Sequence, residues 1–180
     1  MSSKLSLAFR KAAARDVPAL AEVYAASFAD KNEQTDLPGY LDWTVQNRDQ
    51  RVIIAETPEH KIAGFVIAAF DSAIARNAVN VEQLAVAPEC QGRGVGRALL
   101  EEVEATALKN DFSRVTLHVR VDNEKAKVLY ESEGFRAAEA EPGFYMDGTA
   151  ALPMTKELPP ANLPVFHMPN FVRRWTSSYA

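Results

Sequence analysis

The chain has 180 residues, 47% hydrophobic and 24% charged, which is typical of a globular protein long enough to bury one full core. Its net charge of −4 gives no support for a nucleic-acid partner, since such proteins normally carry a basic excess. No apolar run reaches the roughly 18 residues of a membrane span, so we expect no membrane partner. The single cysteine, Cys90, cannot form an intramolecular disulfide, and we therefore expect a reducing, cytoplasmic compartment.

The first half of the chain is predicted to contain three strands and two helices. Residues 6–11 form a short strand, and Asp16 then caps a helix whose apolar residues recur at helical spacing. A second helix is expected over 39–50, followed by strands at 51–56 and 62–70. Because the later part of the last strand is apolar on both faces, we expect it to lie inside the sheet.

The strand predicted over 77–87 changes phase along its length. Its apolar residues occupy odd positions up to Val81 and even positions from Leu84 onward, so the alternation slips by one near Glu82 and Gln83. Either a β-bulge lies there, or both faces of the strand are buried and the phase has no meaning. A bulge would separate this strand from its neighbour and open a slot in the sheet.

A turn with three alternating glycines, Gly92, Gly94 and Gly96, follows this strand and opens a helix predicted over 94–109. Glycines let a ligand approach the backbone, and the free N–H groups at a helix start suit a phosphate. A Walker loop would need a Lys-Ser/Thr pair after the glycines, and none follows. A dinucleotide fingerprint would need a glycine where Arg97 stands, and it normally follows the first strand.

The remainder of the domain supplies another strand, a short helix and two closing strands. Residues 114–121 alternate as a strand, and Asn123 then caps a helix that ends near Gly134. Strands over 135–139 and 144–158 would complete the sheet.

The composition changes at residue 159, which divides the chain into a domain (1–158) and a Pro-rich arm (159–180). The arm carries several large apolar side chains, too many for a freely solvated tail. It either packs on this domain or on a second subunit of a homodimer, or it binds another partner. We expect the packed arm.

Two blocks of residues, in this order, resemble the GNAT superfamily of N-acetyltransferases. The first is a Q/R-x-x-G-x-G/A signature preceded by L-x-V-x-P, and the second is a V-x3-N…A-x2-LY-x3-GF block. The matching residues are Leu84, Val86, Pro88, Gln91, Gly94 and Gly96, then Val119, Asn123, Ala126, Leu129, Tyr130, Gly134 and Phe135. The resemblance covers about residues 5–158. It implies a mixed α/β (α+β) fold, with a mostly antiparallel twisted sheet, helices on both faces and a bulged, splayed central strand.

The resemblance also implies acetyl-CoA as co-substrate, without a metal. The pyrophosphate would lie on the glycine turn, and the pantetheine arm would pair with the strand before it, inside the slot. There the Val86 N–H would polarise the thioester carbonyl. The implied cofactor-binding residues are Leu84, Ala85, Val86, Gln91, Gly92, Arg93, Gly94, Val95, Gly96, Arg97, Asn123 and Tyr130.

Three side chains are candidates for catalysis. Tyr130 occupies the family position where a hydroxyl commonly faces the CoA sulfur as general acid, although its helix face would also suit a core tyrosine. Glu82 at the suspected bulge, or His118 on the next strand, would serve as general base, and each is also an acceptable polar strand residue. Family members that acetylate protein N-termini can carry glutamate at the equivalent of His118, so this departure puts that substrate in doubt.

The implied function is transfer of acetyl from acetyl-CoA to a primary amine of a small molecule or protein, by direct attack. Two alternatives stay open. One is an inactive acyl-CoA-binding module that acts on a partner through its arm, and the other is a nucleotide-binding protein.

Overall fold

The structure is a computed structural model that describes residues 5–27, 37–47, 49–70 and 77–160. Within these residues the chain forms four α-helices, seven strands and two 3₁₀ turns, at Ala14–Asp16 and Pro88–Cys90. In chain order the helices and strands are β1 (Ala8–Lys11), α1 (Val17–Ser27), α2 (Leu37–Gln46), β2 (Gln50–Glu56), β3 (Ile62–Ala69), β4 (Ala78–Val86), α3 (Val95–Lys109), β5 (Arg114–Arg120), α4 (Glu124–Ser132), β6 (Arg136–Ala137) and β7 (Ala151–Glu157).

The seven strands form one sheet in the order β1-β2-β3-β4-β5-β7-β6. Neighbouring strands are antiparallel except for β4 and β5, which are parallel. The chain passes from β4 to β5 through α3, the kind of crossover that a parallel pair requires. β3 lies inside the sheet and six of its eight residues are buried, as its apolar character on both faces predicts.

β4 contains the predicted bulge. Two adjacent residues of β3 pair with Gln83 and Val81, which leaves Glu82 between them as the extra residue. Because of this extra residue, Val81 and Leu84 pack against the same core in spite of their opposite parity. The alternative reading, with both faces buried, is wrong here because Glu82 is exposed and Gln83 is only half-buried.

β4 and β5 separate at the bulge. Their pairing joins residues 78–81 of β4 to residues 114–117 of β5 and goes no further. The later part of β4 pairs with β3, and the later part of β5 pairs with β7. The sheet is therefore split between these two strands, as predicted, and a slot opens where residues 82–86 and 118–120 diverge.

Helices cover both faces of the sheet and bury two apolar cores. On the α3 face, which α3 and α4 cover, Leu99 and Leu117 are almost completely buried. On the α1 face, which α1 and α2 cover, the same is true of Leu41 and Phe65. Since side chains alternate along a strand, Leu117 faces α3 and its neighbour His118 lies on the α1 face.

Asp16 directly precedes α1, at the predicted cap position, but its carboxylate is bonded to residues before the helix. Its carboxylate accepts hydrogen bonds from the Ala13 N–H at 2.8 Å and from the Arg10 guanidinium at 2.7 and 2.9 Å. Asp16 therefore closes the 3₁₀ turn that leads into α1, and the guanidinium holds the pKa of its carboxyl below the usual value.

Three predicted boundaries are also wrong. α2 begins before residue 39 and ends at Gln46 instead of 50, because the Asn47 side chain accepts the Asp49 N–H at 3.0 Å in a tight turn. Residues 144–150 are a loop and not the start of the last strand. This loop turns at Gly148, whose φ of +82° lies in the left-handed region.

The Pro-rich arm, apart from Pro159 and Pro160, lies outside the described residues. The predictions of its packing and of a homodimer therefore remain predictions. Among the described helices, none combines the length and apolar content needed to cross a membrane.

Candidate active site

The glycine turn and the start of α3 form an open cradle of backbone N–H groups. Gly92 and Gly94 have φ values of +69° and +83°, and a Cβ on either residue would meet no atom within 4 Å. No side chain in the described part of the chain caps α3, and its first internal hydrogen bond runs from the Ala98 N–H to the Gly94 carbonyl at 3.0 Å. The N–H groups of residues 95–97 therefore point out of the helix start, where a phosphate would fit.

The strand before the turn presents backbone groups to the slot. The Ala87 N–H donates to β3 at 2.9 Å, so by alternation the N–H of Val86 points away from β3. The Val86 carbonyl lies on the same side and accepts hydrogen bonds from the Ser27 hydroxyl at 3.0 Å and the Gln91 side-chain amide at 3.1 Å. Gln91 thus links the glycine turn to the end of β4.

Besides Gln91, two polar side chains of the predicted cofactor set have partners within the protein. The Arg97 guanidinium is paired with Glu133 at the end of α4. The Asn123 side chain accepts the Ala126 N–H at 3.2 Å and so caps α4, as predicted. Arg93 is half-buried on the turn. Arg97 and Asn123 therefore reach a ligand at the turn more readily through their backbone than through their side chains.

The remaining predicted cofactor residues pack the cradle against the core. Ala85 is buried on the α1 face, whereas Leu84 and Val95 pack on the α3 face. A Cβ on Gly96 would lie 3.1 Å from Leu129, so glycine at this position allows α3 to pack closely on α4.

The predicted general acid, Tyr130, lies in the core on the α3 face. It is 8% exposed, and its ring contacts Phe135 edge-to-face with 5.8 Å between the ring centroids. Burial, with a smaller contribution from neighbouring Tyr145, raises the pKa of Tyr130 to about 12. The hydroxyl therefore keeps its proton at neutral pH, which a general acid requires. The same burial also suits a core tyrosine.

Glu82, the extra residue of the bulge, is held by two side chains. The Gln50 amide donates to both carboxylate oxygens at 3.1 and 3.0 Å, and the Tyr40 hydroxyl lies 3.4 Å from Oε2. Partial burial raises the pKa of Glu82, although both hydrogen bonds lower it. A carboxylate with a raised pKa is the stronger base, which fits the predicted role.

His118 lies between an aromatic ring and a carboxylate. Its imidazole stacks on Phe144 with 4.7 Å between centroids and 13° between planes, and its Nε2 lies 3.7 Å from Glu141 Oε2. Its side chain is 36% exposed. His118 is therefore accessible, with its ring plane fixed by a residue from the β6–β7 connection.

The candidate acid and the two candidate bases lie on opposite faces of the sheet. Asn80 and Thr116 are paired across β4 and β5 and joined by a side-chain hydrogen bond of 3.2 Å. Glu82 and His118 are the next residues along each strand on that face, immediately past the point where the strands separate. Tyr130 lies on the α3 face, across the sheet from both candidate bases.

Sequence reasoning missed the residues that surround these side chains. Tyr40 and Gln50 hold Glu82, and Phe144 and Glu141 flank His118. All four come from elements distant in sequence from their partners. Gly143 and the Asp147-Gly148 pair could have indicated a turn in place of a strand.

Two further chemistries receive no support in the described part of the chain. There, no group of three or more His, Cys, Asp or Glu side chains could hold a metal ion. Cys90 is buried, and this burial raises the pKa of its thiol, so it is a poor nucleophile.

The sequence of residues 17–135 matches the Acetyltransferase (GNAT) family. The chain belongs to the GNAT family. It is an N-acetyltransferase, an acyltransferase that transfers an acetyl group to an amine, and the predicted resemblance is confirmed.

Relatives of this GNAT chain include other N-acetyltransferases. An uncharacterized N-acetyltransferase of Methanocaldococcus jannaschii is 27% identical over 157 residues, covering 87% of this chain and 95% of that protein. The [ribosomal protein bS18]-alanine N-acetyltransferase of Escherichia coli is 34% identical over 89 residues, covering 49% of this chain and 57% of that enzyme.

Solved structures show the same fold. The Escherichia coli ribosomal-protein-S18-alanine N-acetyltransferase superposes with a TM-score of 0.71 at 23% identity, over 88% of this chain and 99% of that one. YncA from Salmonella typhimurium, solved with its cofactor acetyl-CoA, superposes with a TM-score of 0.72 at 20% identity, over 88% and 98% of the two chains. The predicted mostly antiparallel, splayed sheet with helices on both faces is thereby confirmed.

Proposed function

We propose that the cradle at the start of α3 binds the pyrophosphate of acetyl-CoA, and that the slot between β4 and β5 holds its pantetheine arm. The observation that carries this proposal is the position of an uncapped helix start directly after a split strand. Gly92 and Gly94 leave open space at the cradle, and the N–H groups of residues 95–97 are available to an anion. When bound, acetyl-CoA supplies an activated acyl group.

The residues at the slot would divide the proton transfers between the two faces of the sheet. The Val86 N–H polarises the acyl carbonyl while the amine attacks, so that a C–N bond forms and the C–S bond breaks. Tyr130, on the α3 face, gives its proton to the departing sulfur. Glu82 or His118, on the α1 face, takes the proton that the amine loses.

The acceptor enters from the α1 face in this arrangement, because both candidate bases lie there. Protein α-amines are one class to test, since relatives include a ribosomal-protein alanine N-acetyltransferase and an N-alpha-acetyltransferase. Small primary amines are the other class to test. Family members that acetylate protein N-termini can carry glutamate at the position of His118, and this chain departs from them there. We also propose that the enzyme works in the cytoplasm and that the 159–180 arm packs on the domain or joins two subunits of a homodimer.

The test is CoA release from acetyl-CoA across a panel of peptides with free N-termini, polyamines and other small amines. Acetylated product in step with CoA release supports the proposal and names the acceptor class. A catalytically inactive module would bind acetyl-CoA and release no CoA with any member of the panel. Binding without turnover is measured as a rise in the unfolding temperature of the protein, which increases with the acetyl-CoA concentration.

A further inference from the structure

The connection between β6 and β7 forms a closed, internally bonded loop, which we call the 141–149 segment. At its base, Glu141 and Ala151 exchange backbone hydrogen bonds of 2.8 and 3.0 Å. Inside it, the Gly148 N–H donates to the Tyr145 carbonyl at 2.8 Å, and the Tyr145 N–H donates to the Thr149 carbonyl at 3.1 Å. These bonds make the segment a compact loop whose residues are positioned together, as one unit.

Arg120, the last residue of β5, holds this segment from outside. Its side chain is 10% exposed, and its guanidinium donates to Asp147 at 2.6 Å and to the Thr149 hydroxyl at 2.7 Å. The same group lies 4.9 Å from the centre of the Tyr145 ring and also binds Asp122, at 3.1 and 3.3 Å. Arg120 thus connects β5 to three residues of the segment.

The charge of this contact is maintained over the whole working pH range. The guanidinium holds the pKa of the Asp147 carboxyl well below its usual range, and Asp147 also accepts the Thr149 N–H at 2.9 Å. A planar guanidinium with several donors suits this set of acceptors better than a lysine ammonium would. The segment is therefore tied to β5 by a charged contact that is almost completely buried on the arginine side.

The segment in turn fixes His118, two residues before Arg120. Phe144 stacks on the imidazole, and Glu141 lies 3.7 Å from its Nε2. Phe144 is itself 49% exposed, so apolar burial alone does not hold its ring in place. Its position depends on the loop that carries it, and Arg120 holds that loop.

We propose that Arg120 is a positioning residue: acting through the 141–149 segment, it orients the His118 imidazole toward the slot so that His118 accepts the proton of the amine. This inference rests on the proposed function, because it chooses His118 over Glu82 as the general base of that reaction. General-base catalysis requires the ring nitrogen to lie within hydrogen-bond reach of the amine, directly or through one water.

The experiment compares Asp147→Asn with Glu157→Gln in the full chain. Both replacements remove an acid paired with an arginine of β5, but the second pair, Arg114 with Glu157 at 4.0 Å, lies at the opposite end of the strand. The first readout is the NMR signal of the His118 ring, identified as the signal lost in His118→Gln. Stacking on Phe144 gives it an upfield ring-current shift, and Phe144→Leu shows its position without stacking.

We expect Asp147→Asn to move the His118 signal toward its position in Phe144→Leu and to lower kcat by about 10- to 100-fold, with KM for acetyl-CoA unchanged. Glu157→Gln should change neither. A His118 signal that stays in place in Asp147→Asn overturns the proposal, as does a moved signal with an unchanged kcat. If the wild-type enzyme releases no CoA with any amine, the proposed function fails. The NMR comparison then still decides whether Arg120 orients His118.

Discussion

Replacement of Tyr130 by phenylalanine tests the division of acid and base between the two faces of the sheet. The ring stays in its core position, 8% exposed and in edge contact with Phe135, so the packing is retained. In the described part of the chain the hydroxyl makes no hydrogen bond whose loss would leave a buried partner unpaired. We therefore expect the free energy of unfolding to change by no more than about 1 kcal/mol.

The effect on turnover should be much larger than the effect on stability. A positioned general acid contributes about 100- to 10,000-fold, so kcat should fall by that factor, or about 3 to 5 kcal/mol of barrier. KM for acetyl-CoA should change little, because the cradle and the slot are untouched. Since the pKa of Tyr130 is about 12, the wild-type enzyme should show no loss of rate from this group below about pH 11.

The assay is CoA release with a saturating amine, measured with thermal unfolding of the same preparation. Tyr24→Phe is the matched control, because Tyr24 is also 8% exposed but lies in the core on the α1 face. Its turnover should equal that of the wild type. A Tyr130→Phe enzyme with unchanged kcat would refute the general-acid role and leave Tyr130 as a core residue.

Three further predictions follow from the site. With His118 as the proposed base, Glu82→Gln should leave the pH profile of kcat/KM unchanged; loss in the variant of an acid limb that lies above the ordinary glutamate pKa would make Glu82 the base instead. Gly94→Ala, at φ +83°, should cost about 1 to 2 kcal/mol of strain and weaken acetyl-CoA binding, whereas Gly134→Ala, at φ +89°, should cost as much and leave the Kd unchanged. Equal Kd values for both would contradict the cradle. Between pH 10 and 12 the folded chain keeps the Tyr130 proton while the unfolded chain loses it. The free energy of unfolding should therefore fall by about 2 to 3 kcal/mol as pH rises, and titration of Tyr130→Phe should lack this component.

Features set by neighbouring residues were predictable from the sequence. The change of phase at Glu82 predicted the bulge because strand alternation is a local property with a period of two. The glycine turn predicted the open helix start because backbone conformation is also a local property. Gly94 adopts a positive φ that other residues rarely reach. The cap at Asn123 and the helix end at Gly134 followed from short-range hydrogen bonding.

Features set by contacts between distant residues were not predictable. The apolar run at residues 144–146 suggests a strand, but the contact of Asp147 with Arg120 and the turn at Gly148 make residues 144–150 a loop. The surroundings of Glu82 and His118 depend on residues 32 and 26 positions away, Gln50 and Phe144. No local pattern in the sequence indicates such contacts, so the candidate bases could be named but their environments could not.

A crystal structure of the enzyme with acetyl-CoA tests the central claim most directly, because it locates both ends of the ligand. We predict pyrophosphate oxygens within hydrogen-bond distance of the N–H groups of residues 95–97, and the acyl carbonyl oxygen at the N–H of Val86. Pyrophosphate bound elsewhere, or a pantetheine arm outside the slot between β4 and β5, would contradict the proposed site.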